Sequence, residues 1–371
     1  MVPLAEVFAR YGPAYLEKYG PNILPSHRRA IADILRCRTP ELGGQVYGCD
    51  RCGYTHYVYH SCRNRSCPQC HYEQTRAWRE ARRQELLDVP YFHVVFTVPN
   101  TLHAALRRDQ TRLYGILMQA AGQSLIELAG DPHYVGGTVG LLAVLHTWGR
   151  TLTYHPHVHC LVTGGGLDLK AREWRGARDH YLVPVKALSA LFRRHFRERL
   201  GPMLQGLAIP ASVWRTPWVV HCEGVRGGPE SVLNYLAGYV YRTAISEDRI
   251  LSAENGQVTF GYQDTRDQKR KTMTLSAEEF LRRFLQHVLP TGFHKVRYYG
   301  LWAPGYQPWR RRLQFLLGSG DPGNTRTPGT QTPPEPTAIP STPPTGRTCP
   351  ACGQGTLLWV GRLAPRERGP P

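Results

Sequence analysis

Two histidines one residue apart, His157 and His159, lie in an apolar stretch that predicts a β-strand over Tyr154 to Val162. Because side chains two apart in a strand point to the same face, the two imidazoles are expected to lie side by side. Neutral imidazole nitrogen is a common ligand of divalent metals. The spacing therefore predicts a metal site on one face of a sheet.

A third ligand can come from either of two further histidines. His146 lies near the end of a second predicted strand, Gly140 to Trp148, which only a few residues separate from the first. An antiparallel hairpin of these two strands brings His146 close to His157 and His159. We take His146 as the third ligand, and His155 remains the competing candidate.

Two tyrosines follow on a predicted helix. Tyr235 and Tyr239 are four residues apart, so they lie one turn from each other on one helical face. A phenol has a free pKa of about 10 and becomes a strong nucleophile only when deprotonated near a cation. Beside a divalent ion that offsets charge at phosphorus, such a pair is suited to attack a phosphodiester.

The cysteines indicate a second kind of metal site. The chain has 10 cysteines, and their Cys-x-x-Cys spacing without a secretion signal favours metal binding in a reducing cytoplasm over disulfides. Cys49, Cys52, Cys67 and Cys70 have zinc-ribbon spacing and are the predicted ligands of a structural Zn²⁺.

Other potential zinc ligands leave alternatives open. A substitution within the set, or a second ion, is possible because five more cysteines and histidines lie in the same region: Cys37, His56, His60, Cys62 and His71. Near the end of the chain, Cys349-Pro-Ala-Cys352 is half of a zinc motif with no second half nearby in sequence. It is interpreted as a weak or borrowed site, or a relic.

The charge of the chain favours a polyanionic partner. Lys and Arg number 46 against 28 Asp and Glu, which gives a formal net charge of +18. Lys and Arg that neutralise phosphates release counterions and so gain affinity for nucleic acid. No apolar run approaches the roughly 20 residues of a membrane span. We therefore expect a cytoplasmic protein that binds a polyanion such as nucleic acid and no membrane.

The periodicity predicts helices and strands along the same chain, including an antiparallel hairpin formed by Gly140 to Trp148 and Tyr154 to Val162. A helical lead-in, 1–36, precedes a small zinc-binding, DNA-recognition domain, 37–86, and a larger domain, 87–300. A basic extension, 301–317, a Pro/Thr-rich linker, 318–347, and a Cys-x-x-Cys tail, 348–371, follow. Leu182 to Val185 is expected to form an edge strand because proline cannot donate to a ladder.

Several of these motifs resemble one known family. His157-Val158-His159 matches the His-hydrophobic-His signature of the HUH endonucleases. The surrounding sequence is similar to the rolling-circle transposases of the insertion-sequence ninety-one group over about residues 5 to 300. The matching segments are Leu145-His146-Thr147-Trp148-Gly149-Arg150, His155-Pro156-His157-Val158-His159, Gly164-Gly165-Gly166, Tyr235-Leu236-Ala237-x-Tyr239-x-x-Arg242 and Ser61-Cys62-Arg63-Asn64-Arg65-Ser66-Cys67-Pro68-Gln69-Cys70.

The resemblance implies an α+β fold, in which a two-tyrosine nuclease domain is built on an antiparallel sheet with helices on one face and is preceded by a zinc-binding DNA-recognition domain. It assigns His157 and His159 to a catalytic Mg²⁺ or Mn²⁺, and Tyr235 and Tyr239 as nucleophiles. His146 stays our own inference, because the third ligand varies among these enzymes. Two positions depart from the family pattern: Gly238 stands where Arg is frequent, and Gln45 where His is frequent.

The expected activity is nicking of single-stranded DNA at element ends, through a 5′-phosphotyrosine intermediate, followed by strand transfer. Arg63, Arg65 and Arg242 are the candidate DNA-binding residues, and host replication proteins are candidate partners. A replication initiator or relaxase with the same chemistry is the first alternative. The wording of the zinc segment and the lack of a P-loop sequence favour the transposase over it. The second alternative is a non-catalytic zinc DNA-binding protein derived from a transposase.

Overall fold

The computed structural model describes residues 1–83, 85–201, 207, 209–227, 229–264, 266–318 and 346–366. The chain divides into two compact units, Met1–Val2 with His71–Asp321, and Pro3–Cys70 with Pro322–Pro371. This boundary at Cys70 differs from the predicted domain end at 86, and the tail shares a unit with the zinc-binding region. The predicted linker, 318–347, lies outside the described residues except at its two ends.

The elements alternate between helices and antiparallel strands. Up to Cys70 they are α1 (Leu4–Tyr19), α2 (Pro25–Arg36), β1 (Gly44–Cys49) and β2 (Thr55–Tyr59). The larger unit contains α3 (His71–Arg83), β3 (Tyr91–Thr97), α4 (His103–Arg108), α5 (Gln110–Gly130), β4 (Thr138–Trp148), β5 (Tyr154–Asp168), β6 (Glu173–Gly176), α6 (Val185–Leu200), β7 (Val219–Val225), α7 (Pro229–Val240), β8 (Ile250–Glu254), β9 (Gln257–Gln263), β10 (Arg270–Ser276), α8 (Ala277–Leu285), β11 (Val296–Gly300) and α9 (Gln307–Leu316). The tail contributes β12 (Arg347–Thr348) and β13 (Thr356–Leu363).

The smaller unit combines a helix pair with a four-stranded sheet. The two helices bury apolar side chains at helical spacing, including Phe8 on α1 and Ile34 on α2. The sheet runs in the order β12-β13-β1-β2 and is antiparallel throughout. Its apolar core is small and centres on Tyr47, Leu357 and the half-buried Val58.

The larger unit is built on an antiparallel sheet in the order β11-β4-β5-β3-β7, with β6 paired to β5. Its central strands are apolar on both faces, so both faces must be covered. One face carries Phe96, Val158 and Cys160, which pack against α5 and α6. Phe192 of α6 contacts the Phe96 ring at 4.9 Å between centroids.

The opposite face carries the histidines. Side chains alternate along each strand, so Val144 and Leu161 point away from the large core and form a second, smaller one. Val232 and Val240 of α7 complete that core. This packing lays α7, with its two tyrosines, over the face to which His146, His157 and His159 point. Helices therefore cover both faces of the sheet, and the expectation of helices on one face is wrong.

A separate three-stranded sheet, β10-β9-β8, contacts the turn between β4 and β5, where the Arg150 guanidinium donates to the Gln263 carbonyl of β9 at 2.9 Å. Ser276 caps α8 by accepting from the amide of Glu279, as its capping-box sequence predicts. Just beyond α8, Gln286 and His287 both donate to the carbonyl of Leu152, at 2.9 and 3.1 Å. Leu152 is buried and has a φ of 60°, a conformation that costs a non-glycine residue energy. These bonds hold the turn that sets the register of the β4–β5 hairpin.

The predicted α+β class is therefore confirmed: the described residues form helices and antiparallel sheets, with a cysteine-rich zinc-binding region before the larger domain. The predicted edge strand over 182–185 is wrong, because Pro184 instead precedes the first turn of α6. No helix in the described part of the chain is long and apolar enough to cross a membrane.

The neutral state of His287 links this turn to pH. Burial lowers the pKa of His287 to about 3, while Thr147 hydrogen-bonds Nδ1 at 3.2 Å. In the unfolded chain this histidine takes up a proton near pH 6.5. Its contribution to the free energy of unfolding is therefore complete above that pH and decreases as the pH is lowered further. Between pH 7.5 and 5 we expect a loss of about 2 kcal/mol from this residue. In urea unfolding, His287→Gln should show a correspondingly smaller pH dependence. An equal slope in both proteins contradicts the assignment.

Candidate active site and zinc centres

Three imidazoles converge at the middle of the large sheet. His146 on β4 lies directly opposite His157 on β5, and His159 follows two residues on. Their ligand nitrogens all lie within 4.8 Å of one another. The predicted hairpin thus brings His146 to the pair. The competitor, His155, contributes only its carbonyl, which accepts from His157 Nδ1 at 2.7 Å.

Each of the three rings has one nitrogen bonded and the other directed to the cluster. His157 donates through Nδ1 to the His155 carbonyl, and His146 donates through Nε2 to the Tyr239 carbonyl at 2.8 Å. His159 uses Nδ1 to reach His93, which leaves its Nε2 3.0 Å from His157 Nε2. Neighbouring ligands of an octahedral ion, at about 2.1 Å from the metal, lie about 3.0 Å apart. The cluster therefore fits one divalent cation.

The electrostatics of the cluster favour the neutral, ligating form of histidine. Burial is the main cause that lowers the pKa of His157 to about 4, and burial lowers the pKa of His146 and His159 as well. The neighbouring imidazoles and the positive charge of Arg242 add to the shift. All three rings are thus unprotonated at neutral pH, as metal binding requires.

The two tyrosines lie on the same face as the imidazoles. The Tyr239 ring centroid is 4.4 Å from that of His159, and its hydroxyl donates to Tyr235 Oη at 3.2 Å. Burial raises the pKa of Tyr235 above its usual range, with further contributions from Tyr239 and Glu223. The phenol is therefore a weak nucleophile by itself and depends on its neighbours for activation.

His93 of β3, a residue that no sequence motif singled out, connects the two groups. Its Nε2 lies 2.9 Å from His159 Nδ1, and its Nδ1 lies 2.8 Å from Tyr235 Oη. Glu223, opposite His93 on β7, is 3.4 Å from the same Nδ1. Strand alternation could have placed His93 on a face with Tyr91. Only the pairing of β3 with β5, between residues far apart in sequence, shows which histidine it meets.

Basic side chains border this site. Arg242, predicted to bind DNA, is exposed and close enough to influence the pKa of all three clustered histidines. Lys295, which no sequence motif singled out, donates from Nζ to the Arg242 carbonyl at 3.4 Å. Its positive charge also lowers the pKa of His146. Arg63 and Arg65 belong to the smaller unit, on the loop between Cys62 and Cys67, where Arg63 is exposed and Arg65 half-buried.

The cysteines form two clusters, and neither is the predicted set. Cys67 and Cys70 lie with Cys37 and Cys62, and Cys49 and Cys52 lie with Cys349 and Cys352. The predicted site of Cys49, Cys52, Cys67 and Cys70 is therefore corrected. Cys49 and Cys52 lie apart from Cys67 and Cys70 because β1, which ends at Cys49, is hydrogen-bonded along its length to β13. The turn before β13 carries the other Cys-x-x-Cys motif, Cys349 and Cys352. Gln45 is in neither cluster; its side chain accepts from Tyr47 at 2.5 Å.

Comparisons with known proteins agree with this arrangement. Residues 7–98 match the family described as "Transposase zinc-binding domain", and residues 140–308 match the family described as "Putative transposase". The chain is 38% identical to "Putative transposase y4qJ" of Sinorhizobium fredii, over 99% of this chain and 97% of that protein. It is 32% identical to the "Transposase for insertion sequence element IS801" of Pseudomonas savastanoi pv. phaseolicola, over 74% of this chain and 69% of that protein.

The chain belongs to the insertion-sequence ninety-one family of transposases. No solved structure matches it.

Family membership makes the transposase a DNA-processing protein with an amino-terminal zinc-binding domain. The cluster of Cys37, Cys62, Cys67 and Cys70 lies within the matched zinc-binding region, and Cys70 Sγ is 3.5 and 3.4 Å from the thiols of Cys37 and Cys62. Four cysteines so close suit a structural Zn²⁺. Gly238 of this transposase is exposed, and a Cβ there meets nothing within 4 Å, so the family's Arg would fit.

The imidazole cluster predicts a specific pattern of metal affinity. His157→Ala removes a ligand and should weaken Mn²⁺ binding by at least tenfold in isothermal titration. His155→Ala is the matched control: it lies two residues away, keeps the carbonyl that orients His157, and should leave the affinity nearly unchanged. If His155→Ala weakens Mn²⁺ binding as much as His157→Ala does, the choice of ligands is wrong.

Proposed function

We propose that this transposase nicks single-stranded DNA at the ends of its element by tyrosine attack on a phosphodiester, and transfers the strand through a 5′-phosphotyrosine intermediate. One observation carries the proposal. Paired phenols lie on the same sheet face as three clustered imidazoles, and a chain of contacts runs from His159 through His93 to Tyr235.

In this proposal His146, His157 and His159 hold Mg²⁺ or Mn²⁺ through their unbonded nitrogens. The bound ion supplies positive charge that offsets the charge developing on the phosphate oxygens. The three side chains are fixed before DNA binds, because each has its other nitrogen hydrogen-bonded.

Tyr235 is the better-placed first nucleophile, because its hydroxyl is the one that hydrogen-bonds His93, whereas Tyr239 meets His93 only through its ring. Its oxygen forms a bond to phosphorus while the bond from phosphorus to the 3′ oxygen breaks. The phenol gives up its proton to solvent and the departing 3′ oxygen takes up a proton from solvent, so the free end is a 3′ hydroxyl and the 5′ phosphate stays on the tyrosine as an ester. A later attack by a 3′ hydroxyl reverses this exchange and needs no nucleotide cofactor.

The second phenol allows a second cleavage while the first ester is still present. Tyr239 lies one helical turn from Tyr235, with 3.2 Å between the hydroxyl oxygens. One residue can therefore hold an end while the other attacks a second phosphodiester near the same imidazoles. This is the arrangement that moving a strand from donor to target requires.

The basic residues suit the DNA backbone. Arg242 and Lys295, beside the imidazoles, are placed to contact the phosphates that flank the reacting one. Arg63 and Arg65 are assigned to DNA contacts made by the zinc-binding domain. We propose action on DNA in the bacterial nucleoid, with host replication proteins supplying or filling the exchanged strands.

His93 has a defined part in this scheme as a positioning residue. If His159 binds the ion through Nε2, its Nδ1 keeps the proton and donates to His93 Nε2. His93 then keeps its own proton on Nδ1 and donates it to Tyr235 Oη. With the Tyr239 hydroxyl also donating, two hydrogen bonds stabilise the Tyr235 phenolate. Metal binding is thus coupled to the nucleophile through the tautomer of one ring.

Nicking can be measured with single-stranded oligonucleotides from the flanks of the element. Wild type with Mg²⁺ or Mn²⁺ should cut them and remain covalently attached to the 5′ end of the downstream fragment. With the label on that fragment, the product is seen as a protein band that carries the DNA label. Tyr235→Phe with Tyr239→Phe should abolish both products, a loss of at least 10³-fold on the scale of a missing nucleophile.

Tyr262→Phe, a change of the same kind outside the site, is the control and should cut normally. Equal nicking by wild type and the double variant would refute the tyrosine mechanism. Specific binding of the ends without cutting, with either metal, would instead support the non-catalytic DNA-binding alternative.

The role of His93 predicts a split between rate and binding. His93→Ala should lower the cleavage rate by about 10- to 100-fold, with little change in KM for the oligonucleotide, because the ring contacts no DNA in this scheme. His93→Gln should recover part of the rate, since its amide can accept from His159 and donate to Tyr235. His221→Ala, an exposed neighbour on β7, is the control. A KM effect without a rate effect would contradict the assignment.

A further inference from the structure

A second thiol cluster joins residues that are almost 300 positions apart in sequence. Cys49 Sγ lies 3.8 Å from Cys352 Sγ, and Cys52 Sγ lies 3.8 Å from Cys349 Sγ. All four sulfurs lie within 4.8 Å of one another. A disulfide needs about 2.05 Å, whereas sulfurs bound tetrahedrally at about 2.3 Å from zinc lie about 3.8 Å apart. The spacing fits a shared metal ion and no disulfide.

The two cysteine pairs are presented by equivalent turns. In each, a glycine follows the second cysteine with positive φ, 70° at Gly53 and 69° at Gly353. Each of these glycine amides donates to the carbonyl of the first cysteine of its own pair, at 3.2 and 2.9 Å. Side chains other than glycine rarely adopt this backbone conformation. The similarity shows that both pairs form the same zinc-knuckle turn.

Backbone pairing fixes the two turns against each other. β13 runs antiparallel to β1 and places Leu357 opposite Cys49. Asp50 and Thr356 join the turns twice: the Asp50 amide donates to the Thr356 carbonyl at 3.2 Å, and the Thr356 amide donates to Asp50 Oδ1 at 2.8 Å. The four thiols are thus held in place by contacts that do not involve a metal.

The small sheet has little else to stabilise it. Its core contains few large side chains, chiefly Tyr47, Leu357 and Val58, and so small a core supplies little free energy of folding through apolar burial. A structural zinc ion supplies the missing free energy in such domains.

We propose that Cys49, Cys52, Cys349 and Cys352 bind a second structural zinc ion, which fastens residues 347–363 to the zinc-binding domain. The family match for that domain ends at residue 98, so the tail contributes ligands from outside it. The site does not depend on the nicking mechanism, and its test involves no DNA.

The test is zinc content, measured by elemental analysis on the full chain carrying His157→Ala so that the imidazole cluster does not contribute. This chain should hold two zinc ions, and adding Cys349→Ser with Cys352→Ser should leave one. Pro350→Ala, a change within the same turn at a position that offers no ligand, is the matched control and should keep two.

Alkylation with N-ethylmaleimide, mapped by mass spectrometry, shows which thiols are protected. All eight clustered cysteines should be protected before the serine changes, and Cys49 and Cys52 should become reactive after them. Cys37, Cys62, Cys67 and Cys70 should stay protected, which shows that the variant keeps its first site. The half-buried Cys222, outside both clusters, reports on reagent access.

One zinc ion in the starting chain, with Cys349 and Cys352 freely alkylated, would overturn the proposal. If the serine variant loses both ions, the starting chain decides: two ions with all eight thiols protected support the second site, and one ion overturns it.

Discussion

The register of β5 with its two neighbours is the constraint on which the candidate site depends. Pairing with β4 sets His146 opposite His157, and pairing with β3 brings His93 within hydrogen-bond distance of His159. A shift of one residue would turn an entire strand's side chains to the opposite face. The apolar residues between the histidines, such as Val158 and Cys160, prevent that shift because they are buried against α5 and α6. The core that stabilises the sheet is thus what aligns the imidazoles.

Burial gives the site its chemical character. It keeps the imidazoles neutral, which suits metal binding, and it keeps the Tyr235 phenol protonated, which suppresses attack by an isolated hydroxyl. In the proposed scheme the cation and the His93 hydrogen bond act together to reverse the second effect. In that scheme the phenol becomes a strong nucleophile only when the cation is bound.

Local patterns predicted much of this structure, and contacts between distant residues account for what they missed. The alternation around His157 and the short connection to His146 predicted the hairpin, and the four-residue spacing of Tyr235 and Tyr239 predicted their common helical face. Nothing local to His93 could indicate that β3 borders β5. Cysteine spacing correctly indicated zinc, but it predicted the wrong set of four ligands. Cys52 lies beside Cys349, which is 297 positions further along the chain. The prediction of a strand at 182–185 was wrong because it treated Pro184 as an edge-strand residue. Proline is also frequent at the start of a helix, and Pro184 directly precedes α6.

The antiparallel pairing of β1 with β13 has a consequence for synthesis on the ribosome. At about 5 to 20 residues per second, the 297 positions between Cys52 and Cys349 take about 15 to 60 s to translate. During that interval β1 can pair with β2, but its other edge lacks β13, while the strands of the larger unit are made one after another. All strands of the larger unit are made before β13, so the four-stranded sheet is the last of the described sheets to be completed, although its first two strands are made early.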